Sequence, residues 1–228
     1  MSNQDSYITL VSSLPISERL FIAKQPPLSR PRLDRRLKSL TIEDSNTLMM
    51  IEDLLTWSSY PMTSTDADVI ERIHDVLEQV RQPTLIAIIK QRMELRSLIS
   101  ALRLRQQGET APTTPFGYSR WQPRIHNNWT EPSFGLETIF PWLAKAQDFL
   151  SKQDPLGLER FILDITFRQL QRHASNHLFD FEAVVIYVLK WNIFDRWAHS
   201  NTEAAVRRFE TLTEDALGDF NGFDYAGL

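Results

Sequence analysis

The sequence predicts an all-α protein, an antiparallel multi-helix array with a short extended segment at its N-terminus. Three observations predict it. The stretch LIAIIKQRMELRSLISALRLRQQG, Leu85 to Gly108, carries apolar residues at 85, 86, 88, 89, 93, 95, 98, 99, 102 and 104. That is the spacing of a long helix, apolar over much of its circumference. Helix-start signatures recur, with Thr41 followed by Asp44 and Thr65 followed by Asp68. Finally, the chain has seven glycines in 228 residues, too few for the many tight turns of a sheet-rich fold.

The elements follow in order. YITLVSSL, Tyr7 to Leu14, is rich in β-branched residues and reads as a strand or extended lead-in ended by Pro15. The prolines from Pro26 to Pro31 make a rigid connector. A short basic helix is expected over Arg32–Leu40. A second runs from the Thr41 cap to about Trp57, and a third from the Thr65 cap to about Val80, with Val69, Ile70, Ile73, Val76, Leu77 and Val80 inward. The long helix comes next, and Gly108 is suited to end it. Residues 109–135 are polar and proline-bearing, with two tryptophans and no period. A loop of that length divides the chain into a helical half 1–108 and a helical half 136–228, which can still pack as one domain. Helices are then expected at Leu136–Lys152, Leu156–Ser175, Asp180–His199 and Thr202–Leu217, with a turn at Ser200-Asn201 and an acidic, aromatic tail.

Composition narrows function. A net charge of −4 gives no global field for nucleic acid or anionic membrane. The absence of cysteine removes disulfides, thiolate metal sites and cysteine nucleophiles, and fits a reducing compartment. With no apolar run of membrane-spanning length and no signal-peptide layout at the N-terminus, the chain is expected to be cytoplasmic. No phosphate-loop, dinucleotide, nucleophile-elbow or H-E-x-x-H pattern occurs, so the expectation is a non-enzyme without a cofactor.

Three groups of residues stand out. Arg92, Arg96 and Arg103 form a basic stripe along the long helix, where Glu94 is the sole acid. A guanidinium left unpaired in a core costs on the order of 3–5 kcal/mol. The stripe therefore faces water, or it meets acids from other helices or from another protein. His173 and His177 are spaced i,i+4, with Asp180 nearby, which reads either as a zinc pair or as ordinary histidines at a helix C-terminus. YSRWQPRIHNNW, Tyr118 to Trp129, interleaves Trp121 and Trp129 with Arg120, Arg124 and His126. Such a segment serves as a base-stacking surface, as a protein contact, or as a flap of aromatics covering the core.

A shift of 100 residues superposes Leu85, Ile86, Ile88, Ile89, Lys90, Met93 and Arg96 on Val185, Ile186, Val188, Leu189, Lys190, Ile193 and Arg196, hinting at a pseudo-repeat. ELRSLISALRLRQQG, residues 94–108, resembles the N-I-R-x-L-L-R-A-K-x-x-G element of the C (or d) subunit of V-type and A-type rotary ATPases. FDFEAVVIYVLKWNIFDRW, residues 179–197, resembles that family's P-E-x-V-x-A-Y-x-L-x-K-E-x-E-I-x-N helix. YITLVSSLP with KQPPLS is similar to the opening of short proteins encoded within bacterial V-type ATPase operons. The resemblance implies an all-helical, non-catalytic subunit of a proton or sodium ATPase. Its partners would be the central shaft and the membrane rotor ring, and it would meet the membrane only through them. It also implies that Arg96 and Arg103 pair with acids of neighbouring helices. The chain departs from the family in being shorter, and in placing Trp191 and Asn192 where a Glu is usual after the helix lysine.

Overall fold

A computed structural model describes residues 3–16, 20–22, 25–56, 65–112 and 116–220, with side chains from residue 6 to residue 200. Nine α-helices and one 3-10 turn, with no strand, make up the described residues: α1 Asn3–Ser13, α2 Arg30–Leu37, α3 Ile42–Leu55, α4 Asp66–Gln79, α5 Pro83–Gln106, α6 Gln122–Asn127, the 3-10 turn Pro132–Gly135, α7 Leu143–Ser151, α8 Pro155–Ala174 and α9 Phe181–Phe220. The expected all-α array is what the chain forms. Trp57 and the tail beyond residue 220 lie outside the described residues.

The capping chemistry works as its local sequence dictates. Thr41 accepts from the Asp44 N–H at 3.1 Å. Thr65 and Asp68 form a reciprocal capping box at the start of α4, with the Thr65 N–H donating to the Asp68 carboxylate at 2.8 Å. Gly108, at φ +84°, ends α5 in a Schellman arrangement: its N–H meets the Arg105 carbonyl at 3.0 Å and the Glu109 N–H meets that of Leu104 at 3.1 Å. Along the buried side of α4, Ile73, Val76 and Val80 are fully inside, while Val69, Ile70 and Leu77 are half-buried.

Other expectations are corrected. The N-terminal segment is helical, because Tyr7, Leu10 and Leu14 share one helical face and pack inward, and that burial outweighs the strand preference of Ile8, Thr9 and Val11. The stretch 109–135 is not structureless: it contains α6 and the 3-10 turn, and Ile125, Trp129 and Phe134 are buried. α7 starts seven residues later than expected, after Pro141, whose ring and missing N–H oppose a helix through it. Ser200-Asn201 makes no turn. No proline or glycine stands between Phe181 and Leu217, and Ser and Asn cost a helix interior only tenths of a kcal/mol, so the two expected helices are one of 40 residues.

Two apolar clusters form the core. The first joins Leu14, Leu33, Ile51, Ile73 and Val76 to Leu85–Met93 of α5, Leu163–Leu170 of α8 and Phe181–Phe194 of α9. The second joins Leu95–Leu102 of α5 to Phe116, Ile125, Trp129, Phe134, Leu143 and Leu158. Thus α5 threads both, its first half in one and its second in the other. α8 does the same in the opposite sense, which makes the two helices antiparallel partners down the middle of the molecule.

Candidate functional site

The arginines of α5 leave one helix in different directions and find different partners. Arg96 donates to the carbonyl of Leu54 at 3.1 Å and to that of Leu55, the last residues of α3. It therefore caps the C-terminus of α3, where the exposed carbonyls and the helix dipole both favour a cation. Arg92 donates to the Thr166 hydroxyl of α8 at 3.1 Å. Burial, with Arg96 and Arg196 nearby, pulls its pKa down to about 9, which still leaves it charged at neutral pH. Arg103 is exposed. Arg196, the counterpart of Arg96 under the 100-residue shift, pairs at the surface with Glu159 of α8 at 2.9 Å. The resemblance implied acids opposite Arg96; the bonds it makes to α3 go to main-chain oxygens, and Arg196 meets a carboxylate of α8 instead.

Arg105, which the sequence did not single out, organises the Trp segment. Its guanidinium donates to the carbonyls of Trp129 at 3.1 Å and Glu131 at 2.6 Å and to the Gln147 side chain at 3.1 Å, and it stacks 4.3 Å from the Phe134 ring centroid. Ser133, Phe134 and Gly135 are consecutive left-handed residues, at φ 53°, 54° and 61°. Left-handed backbone costs a non-glycine residue on the order of 1–2 kcal/mol. The turn persists because Phe134 is fully buried under the Arg105 guanidinium and because Arg124 donates to the Gly135 carbonyl at 2.8 Å.

The two tryptophans of that segment face inward. Trp129 is 9% exposed, donates its indole N–H to the Glu109 carbonyl at 3.0 Å and lies 5.5 Å from Phe134. Trp121 is half-buried, edge-on to Phe140 at 5.8 Å, with Arg120 over its outer face at 4.8 Å. Arg120 also reaches Glu94 at 3.3 Å. Burial raises the Glu94 pKa, while Arg120, Lys90 and Trp121 pull it back. Glu94, Lys90 and Arg120 border a cleft of about 590 Å³ between α4, α5 and residues 117–122, lined also by His74 and Tyr118.

His173 and His177 do not converge, because α8 ends at Ala174 before a second turn can align them. His173 meets Gln91 at 3.1 Å. His177 uses both ring nitrogens: Nδ1 faces Asp180 at 2.7 Å and Nε2 faces the Thr84 hydroxyl at 2.9 Å. Asp180 in turn accepts from the Ala183 N–H at 2.8 Å and starts α9. Glu182 stands close enough to complete a group of three potential metal ligands, but the imidazole is committed to ordering the α8–α9 turn.

A further polar network, joining α2, α3 and α9, was invisible in sequence. Arg30 of α2 grips both oxygens of Glu52 of α3, at 2.8 and 3.0 Å, and Asp34 at 2.8 Å. Asn192 of α9 donates to the same Glu52 at 2.8 Å, and Trp191 stands 5.6 Å from the Arg30 guanidinium and donates to the Leu28 carbonyl at 2.7 Å. The Glu52 hydrogen bonds raise the Arg30 pKa further. Trp191 and Asn192 are the residues that depart from the C subunit pattern. The carboxylate beside them is Glu52 of α3.

Comparison with protein-family models, with characterised proteins and with solved structures finds no match. Among the described residues, no helix is long and apolar enough to cross a membrane.

Proposed function

We propose that the chain is a non-catalytic subunit of a V-type proton or sodium ATPase, a helical piece linking the central shaft to the membrane rotor ring. One observation carries the reading: two of the segments that resemble ATPase-associated proteins, the opening motif and the 179–197 helix, stand far apart in sequence and are bonded to one another. Tyr187 of α9 donates to the Pro15 carbonyl at 3.2 Å, and Trp191 donates to the Leu28 carbonyl at 2.7 Å, so both halves of the opening motif are tied to the 179–197 helix. The half of α5 that precedes the third motif, Leu85–Met93, packs with that same helix in the first core, and the motif itself lies in the second. Membrane association then runs through partners, since the chain offers no span of its own among the described residues.

The alternative, a nucleic-acid-binding or regulatory adaptor working through the Trp segment, has less support, because Trp129 is buried with its N–H already bonded. The test is affinity capture of the tagged chain from detergent-solubilised membranes of its source, with bound proteins identified by mass. Shaft and ring subunits are expected. Their absence from the captured material, under conditions that keep the ATPase assembled, refutes the proposal. Arg103→Glu, a change at an exposed position of α5, tests whether the stripe's outer end is part of the contact.

A further inference from the structure

The cleft between α4, α5 and residues 117–122 has one wall fixed by the side chains behind it. Gly117, at φ +59°, lies so close to α5 that a Cβ there would stand 2.5 Å from Ser97 Oγ. The same Ser97 oxygen accepts the Tyr118 N–H at 2.9 Å, and the Gln122 amide donates to the carbonyls of Phe116 and Gly117. A pre-formed cleft of about 590 Å³ falls within the roughly 300–1,000 Å³ of small-molecule sites. We infer that it binds a free α-amino acid with an aromatic side chain, the ligand's ammonium on Glu94 and its carboxylate between Arg120 and Lys90.

Glu94 carries the argument. Its side chain is recessed, at 16% exposure, yet few donors reach it: Arg120 Nε stands at 3.3 Å, and the Trp121 indole N–H approaches it short of full hydrogen-bond geometry. An ionised carboxylate accepts about four hydrogen bonds, and a sheltered one that lacks them is costly. An ammonium group, with its donors and positive charge, is the complement. A purely cationic ligand is disfavoured, because Arg120 beside Glu94 and Lys90, one turn earlier on α5, are positive. An α-amino acid resolves the conflict: its ammonium and carboxylate hang from one carbon and match the adjacent Glu94 and Arg120. Arg120 meets Glu94 through Nε, which leaves its terminal N–H groups for the incoming carboxylate. Beyond the charges, Ile70, Ala87 and the edge-on pair of His74 and Tyr118, 5.5 Å between centroids, offer an apolar and aromatic face to the ligand's side chain. A ring gains contact there, whereas glycine or alanine leaves that face wet. The inference stands apart from the proposed coupling role.

The test is a titration of the isotope-labelled full chain with L-phenylalanine, followed through its amide chemical shifts. Saturable shifts at Tyr118, Ser119 and Arg120 are expected, with a dissociation constant below about 1 mM. Phenethylamine and hydrocinnamate, each carrying one of the two charges, should bind at least about tenfold more weakly, as should L-alanine, which has no ring. No saturation by about 10 mM, or phenethylamine binding as tightly as the amino acid, overturns the inference. Glu94→Gln keeps the shape, removes the charge and should weaken L-phenylalanine at least about tenfold. Ala87→Phe fills the cleft from the α5 side without altering any charge and should abolish the saturable shifts; it covers the case in which the first variant disturbs α5. Asp148→Asn, on α7 away from the cleft, should bind as the parent does. Parental affinity in either cleft variant, or an equal loss in Asp148→Asn, refutes the site.

Discussion

The capping of α3 by Arg96 can be tested quantitatively with Arg96→Met, which keeps an unbranched apolar stem and removes the guanidinium. Two charge-assisted hydrogen bonds to the Leu54 and Leu55 carbonyls are lost, each worth on the order of 1.5–3 kcal/mol. The favourable placement of a cation at a helix C-terminus contributes up to about 1 kcal/mol more. Against this, the variant no longer incurs the desolvation of a partly buried charge, which recovers a large share of the total. The net loss is about 3 kcal/mol. It should be read from equilibrium unfolding in urea followed by helical circular dichroism, with an unchanged slope. Arg96→Lys, which keeps the charge and one bond, should lose roughly half as much. Because the Leu54 and Leu55 carbonyls are neutral, the part of the difference that comes from capping should persist from low salt to about 1 M, where an ion pair would be screened. A variant within about 0.5 kcal/mol of the parent, or a loss that vanishes entirely at high salt, refutes the capping role.

Three further outcomes follow from local geometry. Gln153 ends α7 in the left-handed conformation, φ 54°, with the bonding that Gly108 uses to end α5, so Gln153→Gly should raise stability by about 1 kcal/mol in the same urea assay; a decrease would refute the strain argument. Ser97, buried at 2% exposure, accepts from the Tyr118 N–H at 2.9 Å and donates to the Met93 carbonyl, and Ser97→Ala should cost on the order of 1–3 kcal/mol by orphaning that N–H; a neutral result would mean water replaces it. The Asp68 carboxyl is held below its ordinary pKa of 3.8 by the Thr65 N–H and hydroxyl, so the stability it lends α4 is complete above that value and is lost as pH falls through the lower folded one. Acid unfolding monitored by amide exchange in α4 should show this loss, and Asp68→Asn should remove it.

What the sequence made legible was whatever a few neighbouring residues decide among themselves. The Thr41 and Thr65 caps, the Gly108 stop and the long apolar face of α5 are all local, and each stands where its chemistry indicates. α1 was misread because strand preference is a weak prior, and the deciding fact, that Tyr7, Leu10 and Leu14 meet α9 and its neighbours, lies more than 160 residues away. The arginine partners were illegible for another reason. A sequence displays its acids but not its unsatisfied carbonyls, so a stripe of guanidinium groups prompts a search for carboxylates, while the oxygens at the end of α3 and around Trp129 carry no letter of their own. The Arg30–Glu52–Asn192 network spans 140 positions between Glu52 and Asn192, beyond any spacing rule.

α9 runs from Phe181 to Phe220 as a single unbroken helix, about 60 Å long at 1.5 Å per residue. Its first part is anchored in the core by Val184, Val185, Val188 and Leu189. The absence of a joint at Ser200 makes angle and reach separately adjustable. Adding one residue turns everything beyond it by roughly 100°, whereas removing seven restores nearly the same bearing while drawing the far end in by about 10 Å. Length changes in this helix thus act like settings on a vernier, and a family of such insertions would report whether whatever meets residues 201–220 reads their compass direction or only their distance.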